Sequence, residues 1–404
     1  MTKEICSVSL QNLSPKIELD KEGNVTVAGS VSWKDLKEFC DGHSREVMTS
    51  PTEELALVLS GIATSATGER CFGFGTLREQ LVDVTYMNNK GEQVKLISKN
   101  ELKNHTLFKD QLDLLESYQD SYRDFSHFKN APFPRLEFET DLMTGTEGQL
   151  GIVVEATIKT VPKENIQYIF ISLPKWEKDY KPHLEIFFGV QNLRHSILSC
   201  ELIDENSTQF LPKEDQIRPE SDLIFLEVRA SDFENVYEEL LSKLKLTSEE
   251  SIFEVPAPRV REFRMNIPRY IFEENQKMGV IKKGTDVQVR GVQFAELLDY
   301  YRGWVDSGLK YNMFGHFGDA HLHFNFMPTK DQVVVAERKL EALYHKVAEL
   351  EGSPFAEHGI GIIKKKFISG FYNATHRQMF KHLKTKLDPH NIFFPDGFMS
   401  KDIE

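Results

Sequence analysis

The chain has 404 residues, a formal net charge of −13 and a hydrophobic content of 40%. This length predicts two domains, and the apolar content excludes a disordered chain. An acidic composition lacks the basic face that nucleic acid requires, so we expect no nucleic-acid partner. A small anionic ligand is compatible with it, because a local cationic pocket can lie inside an acidic protein.

The cysteines and the N-terminus indicate the cellular compartment. The four cysteines are far apart and form no CxxC pair, which excludes an iron–sulfur cluster or a four-cysteine zinc site and suits a reducing cytosol. The first ten residues, MTKEICSVSL, lack the basic start and apolar core of a signal peptide. No run of about 18 apolar residues is present, so we expect no transmembrane segment. We therefore expect a cytoplasmic protein, with peripheral attachment to a membrane as the alternative.

The first part of the chain, residues 1–165, predicts one mixed domain. Residues 24–33 alternate like a strand, and KDLKEFCDG after them predicts a short helix that ends at a glycine. Residues 51–95 are rich in small residues and end in two strands joined by the hairpin turn NNKGE. The polar residues 100–139 predict a helical surface insertion or lid. A glycine-rich turn then leads into a β-branched strand that ends at Pro162.

After residue 165 the pattern changes. IQYIFISLP, HSILSCELI and SDLIFLEVRA predict strands, and DFENVYEELLSKLKL predicts an amphipathic helix. We expect residues 166–330 to form a second domain, with an antiparallel sheet and helices on one side. Residues 331–404 are expected to be a helical segment that returns to the first domain. Its first helix, ended by Gly352, has an apolar stripe of Ala336, Leu340, Leu343, Val347 and Leu350.

Three of the 13 histidines lie in GHFGDAHLHFNF, residues 315–326. Alternate residues of a strand share a face. The apolar face is expected in the core and consists of Leu322, Phe324 and Phe326. The polar face is expected to line a cleft and consists of His321, His323 and Asn325. A Gly-Asp turn allows the preceding His316 to fold back beside His323.

Two converging neutral imidazoles are good ligands for a divalent metal, and Glu357 of AEHGIG is the best candidate for an accompanying carboxylate. His358 beside it would then be a free imidazole suited to accept a proton. The alternative is that these histidines are only polar residues of a strand with hydrogen-bond partners. The glycine-rich stretches at 60–75 and 145–151 also allow two interpretations: they are either turns or backbone packed against a ligand.

Five stretches, in order and spread over nearly the whole chain, match the motifs of one family. They are SGIATSATGERCFGFG, GTEGQLGIVVEATIKTVP, GHFGDAHLHFN, AEHGIGIIKKKF and LDPHNIFFPDGF. The chain thereby resembles the FAD-linked oxidase superfamily that includes vanillyl-alcohol oxidase, and within it the D-lactate, glycolate and D-2-hydroxyglutarate dehydrogenases. The resemblance implies an α+β fold, in which an incomplete FAD-binding domain of the PCMH type precedes an antiparallel-sheet, ferredoxin-like substrate or cap domain.

The resemblance also implies roles for particular residues. A zinc or manganese ion would be held by His316, His323 and Glu357. His358 would remove the hydroxyl proton of a small anionic 2-hydroxy acid, and Arg264, with Arg261 and Arg269 as competing choices, would bind its carboxylate. Asn325 would help to position this substrate. The residues expected to line FAD are Ser60, Gly61, Thr64, Ser65, Gly68, Gly75, Gly145, Glu147, Gly148, Gly151, Ile152 and Val153.

The chain departs from the family pattern in several places. Residues 1–50 resemble only the part of the family's first lobe that follows a glycine-rich loop, and they contain no such loop. The family uses this loop to bind the FAD pyrophosphate. Ala320-His321 replaces Gly-Asn in the histidine motif, and Arg290 stands where the family usually has proline. Two functions therefore remain open. One is an FAD-dependent 2-hydroxyacid dehydrogenase. The other is a non-catalytic relative, or a subunit whose missing lobe or electron acceptor comes from a second chain.

Overall fold

An antiparallel sheet forms the centre of the first part of the chain in this computed structural model, which describes residues 6, 7 and 9–400. The sheet has the order β1-β2-β6-β4-β5, and β3 pairs with the end of β6. Its strands are β1 (Lys16–Leu19), β2 (Asn24–Ala28), β3 (Arg45–Val47), β4 (Leu81–Met87), β5 (Gln93–Ile97) and β6 (Ile152–Pro162). The predicted hairpin is confirmed as β4–β5, and the predicted β-branched strand is confirmed as the long central β6.

The described residues of this part of the chain also form helices. They are α1 (Trp33–Gly42), α2 (Val58–Ala63), α3 (Cys71–Phe74), α4 (Leu77–Gln80) and α5 (Leu112–Tyr122). The predicted helix α1 begins where it does because Ser32 and Asp35 form a reciprocal capping box. The segment 100–139, expected as a surface insertion, also supplies buried side chains, among them Tyr118 and Lys129.

The second sheet confirms the predicted antiparallel pairing. Its order is β10-β7-β9-β8-β13-β14-β11, and β12 also pairs with β14. Its strands are β7 (Ile166–Leu173), β8 (Ile197–Ile203), β9 (Asp222–Arg229), β10 (Ile252–Glu254), β11 (Lys283–Gly284), β12 (Val287–Gln288), β13 (Tyr311–His316) and β14 (His321–Phe326).

The expectation that helices cover only one side of this sheet is wrong. On β9, Ile224 and Leu226 pack into one core, while Leu223 and Phe225 pack into another with Phe263. Every residue of β8 is buried, which requires a covered sheet on both faces. The helix that carries Phe263 and covers the second face is α9 (Ala257–Met278).

The other helices of this part are α6 (Lys181–Gln191), α7 (Glu205–Thr208), α8 (Phe233–Lys243), α10 (Phe294–Val305) and α11 (Val333–Glu349).

The last part of the chain connects the two cores. The predicted helix α11 packs its Ala336, Leu343 and Val347 into the second core. The final helix, α12 (Ala374–Leu387), returns to the core of the first sheet through Met379 and Leu383. The outermost residues of the predicted domains 1–165 and 331–404 lie outside the described residues. Among residues 6–7 and 9–400, no helix is both long and apolar enough to cross a membrane.

Candidate active site

The histidine hairpin lies at the turn between β13 and β14. His316 ends β13 and pairs in register with His321, while His323 follows two residues later on β14. The ring centroids of His321 lie 5.3 Å from His316 and 4.7 Å from His323. The apolar face of β14 is completely buried, as predicted for Leu322, Phe324 and Phe326. The predicted return of His316 toward His323 is thus present, with 5.7 Å between their ring centroids.

Glu357 completes the cluster from a separate loop after α11. Its Oε1 lies 3.0 Å from His316 Nε2, and its Oε2 lies 3.5 Å from His323 Nε2. One ring nitrogen of each of the three histidines and one Glu357 oxygen lie within 4.8 Å of one another. Nitrogen and carboxylate donors in this number and spacing are those that a divalent transition metal uses.

The outer ring nitrogens are held by acceptors. His316 Nδ1 lies 2.8 Å from Glu201 Oε1, and His323 Nδ1 lies 3.2 Å from the carbonyl oxygen of Thr285. Both contacts orient Nε2 toward Glu357, as outer acceptors do for metal-binding histidines. Burial lowers the pKa of His316, but the carboxylates of Glu201 and Glu357 raise it to about 9. Without a metal, the ring is therefore protonated at neutral pH and donates to both carboxylates.

Lys129 and Thr67 are site residues that the sequence analysis missed. Lys129 is buried in the segment 100–139, and its Nζ lies 2.8 Å from Glu357 Oε1. The Thr67 hydroxyl donates to the same oxygen at 3.0 Å. Burial raises the pKa of Glu357, yet the charges of His316 and Lys129 hold it well below its usual value. Glu357 is therefore a carboxylate throughout the neutral range.

Asp286 fixes the loop that carries Glu357 and His358. Its buried carboxylate accepts the backbone N–H of Glu357 at 3.0 Å and that of His358 at 2.8 Å, and it accepts from Lys364 Nζ at 3.1 Å. The His358 ring stacks on His323 with 5.4 Å between centroids, and its side chain is 57% exposed. The Asp286 charge raises the pKa of His358, but burial and the His323 charge together lower it below its usual value. His358 is therefore an accessible, mostly neutral imidazole beside the cluster.

Arg264 and Asn325 have protein partners in the structure. Arg264 Nη1 lies 2.5 Å from Glu69 Oε2, and Nη2 donates to the Thr52 hydroxyl at 3.4 Å. Burial raises the pKa of Glu201, but the charges of His316 and Arg264 lower it, so the guanidinium acts on the carboxylate that holds His316. Asn325 is buried and donates to Asn312 Oδ1 at 3.0 Å. The competing Arg269 pairs with Glu273 and is 60% exposed. Substrate binding by Arg264 and Asn325 stays a prediction.

The two glycine-rich segments meet beside this cluster. The Glu147 N–H donates to the Ala63 carbonyl oxygen at 2.8 Å, and the Glu147 carboxylate accepts the N–H groups of Ile360 and Gly361 at 2.5 and 3.0 Å. A small cavity lies between these segments and is also bordered by Lys129. Four of the residues expected to contact FAD line it: Thr64, Ser65, Gly145 and Glu147.

The remaining candidates for FAD contact do not line this cavity. A Cβ at Gly68 would lie 2.0 Å from the Ser50 carbonyl oxygen, and one at Gly151 would lie 2.4 Å from the Tyr86 ring. A Cβ at Gly61 would lie 3.1 Å from the Trp33 ring. Packing within the protein therefore accounts for these three glycines. Gly75 lines a neighbouring cavity. The other residues outside the first cavity are Ser60, Gly148, Ile152 and Val153.

Comparisons with known proteins identify two families. Residues 179–396 match the family described as FAD linked oxidases, C-terminal domain, and residues 2–97 match an FAD binding domain. The mitochondrial D-lactate dehydrogenase [cytochrome] of Kluyveromyces lactis is 24% identical over 96% of this chain and 64% of that protein. The D-lactate dehydrogenase of Anaerostipes hadrus is 23% identical over 96% of this chain and 78% of that protein.

Two further relatives agree with these. The D-2-hydroxyglutarate dehydrogenase of Xanthomonas citri pv. viticola is 24% identical over 83% of this chain and 66% of that protein. A solved structure of alkyldihydroxyacetonephosphate synthase superimposes with a TM-score of 0.64 at 14% identity, covering 95% of this chain and 66% of that one. The chain thus spans about two thirds of the length of several proteins that it matches, and the structural likeness concerns the fold.

Proposed function

The chain belongs to the family of FAD linked oxidases, as its five motifs predicted, and we propose on this premise that it oxidises a small anionic 2-hydroxy acid to the 2-oxo acid. FAD and a divalent metal, zinc or manganese, would be its cofactors. The observation that carries the proposal is the convergence of His316, His323 and Glu357 from separate elements, with His358 exposed beside them. The division into domains at residues 165 and 330 is part of the same proposal.

The donor set fits a divalent metal. The Nε2 atoms of His316 and His323 face the Glu357 carboxylate, and acceptors behind each ring hold it in this orientation. Within the described part of the chain, the buried His321 ring beside them has no hydrogen-bond partner at either nitrogen. Because His316 is protonated without a metal, metal binding would release a proton from it.

The residues around the cluster suit the chemistry of hydroxyl oxidation. When bound, the metal would lower the pKa of the substrate hydroxyl, and FAD would accept the hydrogen of the hydroxyl-bearing carbon with its two electrons, as a hydride. His358 is exposed and mostly neutral, which are the properties of a general base for the hydroxyl proton. Arg264 would bind the substrate carboxylate by exchanging its partner Glu69 for it.

A non-catalytic function is the second candidate, and the pairing of Arg264 with Glu69 favours it. A guanidinium that is already paired and largely desolvated gains less binding free energy from a substrate carboxylate than an unpaired guanidinium does. In that case the chain would bind metal and serve as a binding subunit, or would need a second chain to complete its flavin site or to accept electrons.

Anaerobic absorbance measurements with added substrate distinguish the two candidates. Protein loaded with FAD and with zinc or manganese is mixed with D-lactate, L-lactate, glycolate or D-2-hydroxyglutarate. Oxidation of the acid bleaches the flavin band in the wild type and in the control His345→Asn, whose ring is exposed on α11. His323→Asn is expected to abolish bleaching. If loaded wild-type protein bleaches with none of these acids, the second candidate is favoured.

A further inference from the structure

We propose that His321 is a fourth protein ligand of the metal at His316, His323 and Glu357, and that this third imidazole strengthens the selection of zinc over manganese. The inference rests on the proposed function, because it concerns the same metal. It assigns a coordination role to a residue that the motif comparison leaves without one.

The position of His321 on the hairpin supports this role. It lies two residues before His323 on β14, so both side chains leave the same face of the strand. It also pairs in register with His316 across the turn. One nitrogen of its ring belongs to the group of four donor atoms that lie within 4.8 Å of one another.

The hydrogen bonding of His321 supports it independently. The side chain is completely buried, yet within the described part of the chain neither Nδ1 nor Nε2 has a hydrogen-bond partner. Buried polar atoms in folded proteins nearly always have a partner, and each exception calls for an explanation such as strain, an ordered water or an ion. A metal at the cluster would supply that partner to one of the two nitrogens.

Asp286 is an acidic group beside the His321 ring that competes with this explanation. His321 Nε2 lies 3.3 Å from Asp286 Oδ1, but outside hydrogen-bond geometry. The Asp286 carboxylate is already used by two backbone N–H groups and by Lys364. Asp286 is therefore placed as the outer carboxylate of a carboxylate–histidine–metal arrangement rather than as the sole partner of the ring.

Three imidazoles strengthen the preference of the site for zinc. Imidazole nitrogen suits zinc, whereas manganese favours carboxylate, carbonyl and water oxygens. With two histidines and Glu357, the donor set already binds zinc more tightly than manganese, as the general order of affinity of divalent metals requires. A third imidazole adds a nitrogen donor and leaves fewer positions for water, and both effects favour zinc.

Metal titrations of the apoprotein test the proposal. Dissociation constants for Zn²⁺ and Mn²⁺ are measured on the wild type, His321→Asn, His323→Asn and the exposed control His345→Asn. We expect His321→Asn to weaken Zn²⁺ at least about tenfold and Mn²⁺ less than about threefold, so that the zinc preference falls. His323→Asn is expected to weaken both metals, and His345→Asn neither.

A second measurement needs no variant and therefore does not depend on how His321→Asn folds. In the Co²⁺-loaded wild type, each metal-bound imidazole gives a ring N–H proton signal shifted by the paramagnetic metal. Three such signals support the proposal, and two overturn it. Unchanged Zn²⁺ binding in a folded His321→Asn also overturns it, while loss of binding in His323→Asn still upholds the metal of the proposed function. A wild type that binds no Zn²⁺ overturns both.

Discussion

Replacing Asp286 by asparagine should destabilise the loop that brings Glu357 to the histidines. The Asp286 side chain is 1% exposed and accepts three hydrogen bonds, from the backbone of Glu357 and His358 and from Lys364. The Lys364 and His358 charges outweigh burial, which alone would raise the pKa, and hold the pKa of Asp286 far below its usual value. The group is therefore ionised in the folded protein at neutral pH.

The size of the effect follows from these partners. Asparagine keeps one acceptor oxygen, so one backbone N–H and the Lys364 ammonium lose their partner. A hydrogen bond to a charged group contributes about 1.5–3 kcal/mol, and breaking a buried ion pair costs about 3–5 kcal/mol. Because the Lys364 side chain is 19% exposed and can still reach solvent, we expect Asp286→Asn to lower the free energy of unfolding by about 3 kcal/mol.

Urea unfolding followed by circular dichroism measures this difference. The matched control is Asp120→Asn on α5, where Asp120 pairs with Arg123 and the two side chains are 67% and 76% exposed. A solvent-exposed pair contributes about 1 kcal/mol or less, so the control should unfold nearly as the wild type does. The reasoning would be refuted if Asp286→Asn were as stable as Asp120→Asn.

Three further predictions concern stability. Burial lowers the pKa of His376 to about 4, so the unfolded chain binds a proton that the folded chain does not. The free energy of unfolding is therefore highest above about pH 6.5 and falls by about 3 kcal/mol toward pH 4. His376→Gln should flatten this part of a pH profile measured by urea unfolding. Glu147→Gln should cost about 2 kcal/mol in urea unfolding, because it weakens the bonds to Ile360 and Gly361; a loss below 0.5 kcal/mol would contradict this. Gly68→Ala should lower the free energy of unfolding by about 1–3 kcal/mol, because the added methyl group clashes with the Ser50 backbone. The control is Gly42→Ala at the end of α1, where the methyl group meets no other atom, and it should be neutral or stabilising.

The parts of the fold that sequence predicts well are those with a local period. The alternation on β14 identifies its core face, and the 3.6-residue period identifies α11. The helix α9 carried the same kind of signal, since Val260, Phe263 and Ile267 recur at helical spacing. The sequence analysis expected helices on one side only, so the second covered face of the sheet was not predicted.

The site was predictable only where a motif or a cluster marked it. His316 and His323 stand out because three of the 13 histidines lie within eight residues, and the stretches that hold them and Glu357 match family motifs. Lys129 lies in a polar segment where one lysine looks like any surface residue. Glu201 gave a usable signal, because a carboxylate inside the otherwise apolar run ILSCELI needs a partner. Its partner, His316, is 115 residues away in sequence, and only the fold shows the pairing.

The central claim is that His316, His323 and Glu357 hold one divalent metal ion. Elemental analysis after equilibrium dialysis against Zn²⁺, followed by extensive dialysis against metal-free buffer, tests it most directly. The account predicts about one equivalent of zinc in the wild type and in His345→Asn, and almost none in His323→Asn. Less than about a tenth of an equivalent in folded wild-type protein, with no change on His323→Asn, would contradict the claim.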